Sequence, residues 1–220
     1  MAEDPFAEAR TRMVDSQLRP NKIVDPRILA AMRRLPRERF LPAGQSALAY
    51  ADVSVPLGNQ RVLMQPMAIA RLIQLAAPLP GEHALVVAAG TGYGAAVLSA
   101  CGPRVTALEE DPALLATARR MLAELAPGAS LVSGPLAAGW AAEAPYDIIV
   151  LEGAVQAIPP ALAQQLRNHS GRLIAVISSD GRTSQAVLAE ATAAGLRAQP
   201  MFDCAAPALP TLRPAPAFVF

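Results

Sequence analysis

Apolar and polar positions change their period once along this 220-residue chain. In the first third the spacing is helical. Phe6, Met13, Val14 and Leu18 are the apolar positions of a charged stretch, which predicts a helix from Phe6 to Leu18. Asp25-Pro26 reads as an N-cap followed by proline at the first helical position. Ile28, Leu29, Met32 and Leu35 then form an i, i+1, i+4, i+7 stripe, and Pro36 and Pro42 end that helix. Residues 43–66 read as irregular, and a further helix is predicted from Met67 to Ala76. From residue 83 strand-like runs alternate with helical ones. Strands are predicted over 84–88, 104–108, 130–133, 146–151 and 172–178, with helices near 93–101, 112–125, 159–167 and 183–194. A proline-rich tail closes on Ala217-Phe218-Val219-Phe220, which reads as a last strand. Such alternation predicts a parallel, doubly wound α/β sheet with helices on both faces. Repeats and long low-complexity linkers are absent, so the chain reads as one compact unit, a helical extension over 1–80 and an α/β core over 81–220.

Composition narrows the function classes. Hydrophobic residues make up 53% and charged residues 17%, enough for a sizeable core. The net charge of +1 argues against nucleic acid as a partner. No apolar run approaches the roughly 20 residues that span a bilayer, so no membrane is expected. The acidic start Met1-Ala2-Glu3-Asp4-Pro5 has no apolar core of a signal peptide. Cys101 and Cys204 lie on apolar segments and read as free thiols in a reducing compartment, with the cytoplasm as the expected location. His83 and His169 have no spaced partners, so no metal site is expected.

Candidate chemistry begins at Ala84-Leu85-Val86-Val87-Ala88-Ala89-Gly90-Thr91-Gly92-Tyr93, a buried strand running into a glycine turn and then a helix. Glycines let a ligand come close to the backbone, and the helix amide end faces it. Gly90 and Gly92 are in register with a nucleotide-binding fingerprint, Gly94 lies just beyond, and Ala88 stands where a first glycine is expected. Glu109 ends the run Val105-Thr106-Ala107-Leu108 at the distance where an acid accepts ribose hydroxyls. The alternative is that Glu109 and Glu110 are solvated acids at the entrance of the helix capped by Asp111-Pro112. Turn and acid together point to a nucleoside-containing ligand.

Further segments carry a resemblance. They are Met13-Val14 with Gln17-Leu18, Ile23-Val24-Asp25, Ala31-Met32, Pro36-Arg37-Glu38-Arg39-Phe40-Leu41-Pro42, Ala49-Tyr50-Ala51-Asp52, Pro56-Leu57-Gly58 and Gln65-Pro66. Gly90-Thr91-Gly92-Tyr93, Ala144-Pro145-Tyr146-Asp147, Ile158-Pro159, Gln165-Leu166 and Gly171-Arg172-Leu173 continue it over nearly the whole chain. The chain resembles the protein-L-isoaspartate O-methyltransferases. The resemblance implies a class I, Rossmann-like methyltransferase fold and S-adenosylmethionine as cofactor. It also implies methyl transfer to the carboxylate of isoaspartyl residues in damaged proteins, and a protein or peptide as partner.

On that resemblance Ala88, Gly90, Gly92, Tyr93 and Glu109 hold the donor, and Met64, Gln65 and Pro66 form the catalytic segment. Met64 stands at the family's serine position, and a thioether donates no hydrogen bond. Val86 replaces an acid, Ala88 a glycine, and Pro135 the aspartate expected at the adenine, which implies weakened donor binding. Glu152 follows the strand Tyr146–Leu151 and faces the donor's ammonium or the acceptor pocket, the alternative being a solvent-facing acid at a loop entrance. Tyr93 stacks over the ligand or is a partly buried ring with a wet hydroxyl. Trp140 reads as core or pocket wall, and Arg37 and Arg39 as substrate contacts or a solvated helix end. Two rivals stay open, a catalytically degenerate binding or scaffold protein and a methyltransferase for another acceptor.

Overall fold

A computed structural model describes residues 4–178 and 183–212. Helix α1 (Ala7–Met13) runs into a π-helical turn over Val14–Leu18, and α2 (Pro26–Arg34) follows. Asp25 caps α2 as its sequence implies, its side chain accepting from the Arg27 amide at 2.8 Å. The stretch read as irregular contains an antiparallel hairpin, β1 (Val55–Gly58) and β2 (Arg61–Leu63). Its turn takes three successive left-handed residues, Gly58, Asn59 and Gln60, at φ 98°, 48° and 58°. Strands this short give too few alternations for a period to be read. Helix α3 (Pro66–Ala76) leads into the core.

The core alternates as its pattern predicts. Strand β3 (His83–Val87) is followed by α4 (Tyr93–Ala100), β4 (Arg104–Glu109), α5 (Pro112–Leu125), β5 (Ala129–Ser133), β6 (Ile148–Val155), α6 (Pro160–Gln164) and β7 (Arg172–Ile177). The segment 183–194 is not a helix. It forms β8 (Gln185–Thr192), which pairs antiparallel with β7 and with β9 (Gly195–Asp203). Alanine-rich composition favours a helix there, but Ala186, Val187 and Ala189 are buried against the sheet, and pairing with β7 overrides propensity. The strand read at Ala217–Phe220 lies outside the described residues.

Strand order is β5-β4-β3-β6-β7-β8-β9, parallel from β5 to β7. Alternate residues of β3 serve two cores. Ala84 and Val86 join a cluster that reaches Met13, Leu18 and Met32 of the N-terminal segment, while Leu85 and Val87 join Leu108, Leu162 and Leu209 on the other face. The N-terminal segment thus shares one core with the sheet. No helix among the described residues is long and apolar enough to cross a membrane. Chain direction around the sheet reverses between β3 and β6, and open α/β sheets bind ligands outside the carboxyl ends of strands at such a point.

Candidate active site

The turn after β3 lies at that reversal. Ala88, Gly90 and Gly92 all take positive φ, at 62°, 59° and 93°. Gly92 is the N-cap of α4 and donates its amide to the Ala89 carbonyl at 2.8 Å. An alanine in the left-handed region carries about 1–2 kcal/mol of strain that glycine avoids. The Thr91 hydroxyl is buried in this turn without a hydrogen-bond partner.

Glu109, at the end of β4, is wholly buried, so it is not a solvated helix-entrance acid. Its Oε2 accepts from the Gly90 amide at 2.7 Å, which ties the acid to the glycine turn. Its Oε1 accepts from the Glu110 and Asp111 amides at 2.9 and 3.0 Å. The remaining partner is one that sequence reading missed. Arg61, the first residue of β2, donates Nη1 to Oε1 at 2.7 Å and Nη2 to Oε2 at 2.9 Å, with a further Nη2 contact to the Ala88 carbonyl at 2.9 Å. Arg61 is 8% exposed and Glu109 0%. The hairpin tip is held over the same loop by Asn59, whose amide donates to Asp111 at 2.7 Å. Only a lone cation just after a turn marked Arg61 in the sequence, and its partner lies 48 residues away.

Glu152 belongs to β6 itself, which runs on to Val155 across an irregularity in its pairing with β7. The side chain is partly buried and turns toward the start of α4. A Cβ added at Gly94 would meet its Oε1 at 1.8 Å, so only glycine leaves the carboxyl this place. Burial pushes its pKa up to about 8, with Glu109 adding to the rise and Arg61 and Arg37 opposing it. At neutral pH the group is therefore mostly an uncharged acid with an O–H to donate.

The segment Met64-Gln65-Pro66 sits over a buried cation. Met64 is 2% exposed and part of the core, and its carbonyl accepts from Arg37 Nη2 at 2.6 Å. Arg37 also donates Nε to the Ala49 carbonyl at 2.8 Å, and its Nη1 is buried without a partner. Arg37 is thus neither a substrate contact nor a solvated helix end, and desolvation holds its pKa below the usual value. Arg39 is exposed and paired with Glu124 of α5 at 2.5 Å. Gln65 precedes α3 and Pro66 opens it. Tyr93 does not lie over the cleft with a wet hydroxyl. Its ring is wholly buried, edge-on to Phe40 at 5.2 Å and under the Arg37 guanidinium at 4.8 Å, and its hydroxyl has no partner. Burial raises that phenol to about 12. Trp140 packs against the second core, its backbone amide donating to Gln165 at 2.8 Å. Cys101 and Cys204 are buried free thiols.

Known proteins resemble the chain in sequence and in fold. The family model described as protein-L-isoaspartate(D-aspartate) O-methyltransferase matches residues 8–200. A protein-L-isoaspartate O-methyltransferase of Methylorubrum extorquens (strain PA1) is 43% identical over 175 residues, 80% of this chain and 76% of the relative. One from Methanoregula boonei is 37% identical over 185 residues, 84% of each chain. A solved protein-L-isoaspartate O-methyltransferase superposes with a TM-score of 0.80 at 22% identity, covering 94% of this chain and 67% of that one. That likeness concerns the fold alone. The chain belongs to the protein-L-isoaspartate(D-aspartate) O-methyltransferase family.

Proposed function

We propose that this chain transfers a methyl group from S-adenosylmethionine, the donor of its family, to the carboxylate of an isoaspartyl residue in a damaged protein. The observation that carries this reading is the family match over residues 8–200, which takes in the strand, glycine turn and acid described above. When bound, the donor supplies an electrophilic methyl group on a sulfonium. A carboxylate with a pKa near 4 is already ionised at neutral pH and needs no general base. Alignment of the reacting atoms is then the protein's main task, worth roughly 7–11 kcal/mol. The left-handed backbone at Ala88, Gly90 and Gly92 and the orphaned Thr91 hydroxyl fit a ligand lying close to the turn. Glu109 does not fit a ribose as it stands, because its acceptor positions are filled.

At the acceptor end Gln65 and Pro66 shape the loop, and Met64 offers no hydroxyl. In this reading Glu152 makes up the loss, donating its O–H to the acceptor carboxylate from beside Gly94. Above a pH of about 8 the same group ionises and repels that carboxylate. The cytoplasm suits two buried reduced thiols.

The test is transfer of labelled methyl groups to an isoaspartyl peptide and to its aspartyl twin across pH 6–9. Turnover of the first alone, falling as pH rises through about 8, is expected, with Glu152→Gln losing the fall. Unchanged activity and donor affinity in Glu152→Gln would remove Glu152 from the mechanism. Donor binding without turnover of either peptide would point to another acceptor. The filled Glu109 favours a second reading, a binding protein without catalysis, which absence of donor binding would support.

A further inference from the structure

Glu109 receives five hydrogen bonds, three from backbone amides and two from Arg61. A carboxylate has about four acceptor positions, so no lone pair is left for a ribose hydroxyl. The three amides belong to the turn and to the residues just after β4, and they stay wherever the ligand goes. Arg61 is different in kind. It comes from the β1–β2 hairpin, outside the sheet, and its guanidinium lies where hydroxyl donors to Glu109 would have to lie. If it leaves, one acceptor position opens on Oε2.

We propose that Arg61 is an internal competitor for the ribose of the nucleoside ligand, so that donor affinity is set by how readily its guanidinium leaves Glu109. This rests on the donor reading given above. A cleft of about 370 Å³ lies beside the pair, between Gln60, Glu110 and Pro210, and gives the side chain somewhere to go. Withdrawal breaks a buried, doubly hydrogen-bonded ion pair and puts one neutral hydroxyl in place of a cation. Such an exchange is unfavourable, so the folded protein holds the donor more weakly than the same site without Arg61. The hydroxyls then add little to affinity in the wild-type protein and much once Arg61 is gone.

Calorimetric titration of the full chain separates the possibilities. S-adenosylhomocysteine is expected to bind Arg61→Gln at least tenfold more tightly than wild type, the scale of one hydrogen bond to a charged group. Adenosine and 2′,3′-dideoxyadenosine are expected to bind wild type alike, while Arg61→Gln prefers adenosine by about tenfold. The dideoxy comparison on wild type stands by itself if Arg61→Gln does not melt cooperatively. A wild-type preference for adenosine of that size, or a folded Arg61→Gln that binds no more tightly, overturns the proposal while leaving the donor reading in place. Failure of both proteins to bind S-adenosylhomocysteine at millimolar concentration overturns both.

Discussion

Glu109 ends β4 and Glu152 lies on β6 just past its pairing with β3, and the two carboxyls have opposite surroundings. Glu109 is the more buried, yet it has a bidentate guanidinium and three amides. Glu152 has more access to solvent but no hydrogen-bond donor among the described residues, and burial drives it to the neutral form. Burial by itself therefore does not describe the surroundings of an acid, since donors come with it at Glu109 and not at Glu152. The difference also divides the work. A saturated carboxylate ties together the glycine turn, and under the proposed function the unpartnered one is the group that meets the acceptor.

The largest effect is expected at Glu109. Glu109→Gln removes the charge from a buried pair and leaves Arg61 uncompensated. A loss of about 3–5 kcal/mol in urea unfolding is expected. A loss under 1 kcal/mol would mean that Arg61 reaches water without its partner.

Glu152→Gln is expected to act in the other direction. Its folded-state pKa of about 8 lies above the ordinary carboxylate value, so its contribution to stability is fully present below the unfolded pKa. That contribution is lost as pH rises from about 4.5 to about 8, where the unfolded chain has ionised and the folded one has not. The variant has no such loss. Near pH 8 it is expected to be more stable than wild type, the gap closing toward pH 4. A gap that does not change with pH would show Glu152 to be ionised throughout.

Smaller changes probe the turn that joins the two acids. Gly94→Ala puts a methyl group where Glu152 Oε1 now lies. Since that atom is the end of a flexible side chain, stability is expected to change by less than about 1 kcal/mol. Under the proposed function, the fall in activity as pH rises through about 8 is expected to disappear with the displaced carboxyl. Ala88→Gly relieves a left-handed alanine at φ 62° and is expected to raise stability by up to about 1 kcal/mol in thermal melts. No gain would mean that the surrounding turn holds alanine there without strain.

Much of the fold was legible in the chain because its signals are local. The Asp25-Pro26 cap, the stripe at Ile28, Leu29, Met32 and Leu35, and the run from Ala84 into Gly90-Thr91-Gly92 each lie within one element. The Arg61–Glu109 pair does not, since it forms only when the hairpin crosses the end of β4. Neither does the place of Tyr93, because burial beneath Arg37 needs the N-terminal segment to be docked. The helix read over 183–194 failed for the same reason. Its alanines carry helical propensity, and only β7 as a neighbour makes them a strand.

By itself, then, the sequence determined the alternating core, the glycine turn, the acid at Glu109 and the family. Period, caps and motif spacing are properties of residues a few positions apart. Only the tertiary structure decided the partners of each carboxyl, because the donors in a buried site are brought from distant segments. That is why Arg61 fills Glu109 and Glu152 stays without a partner.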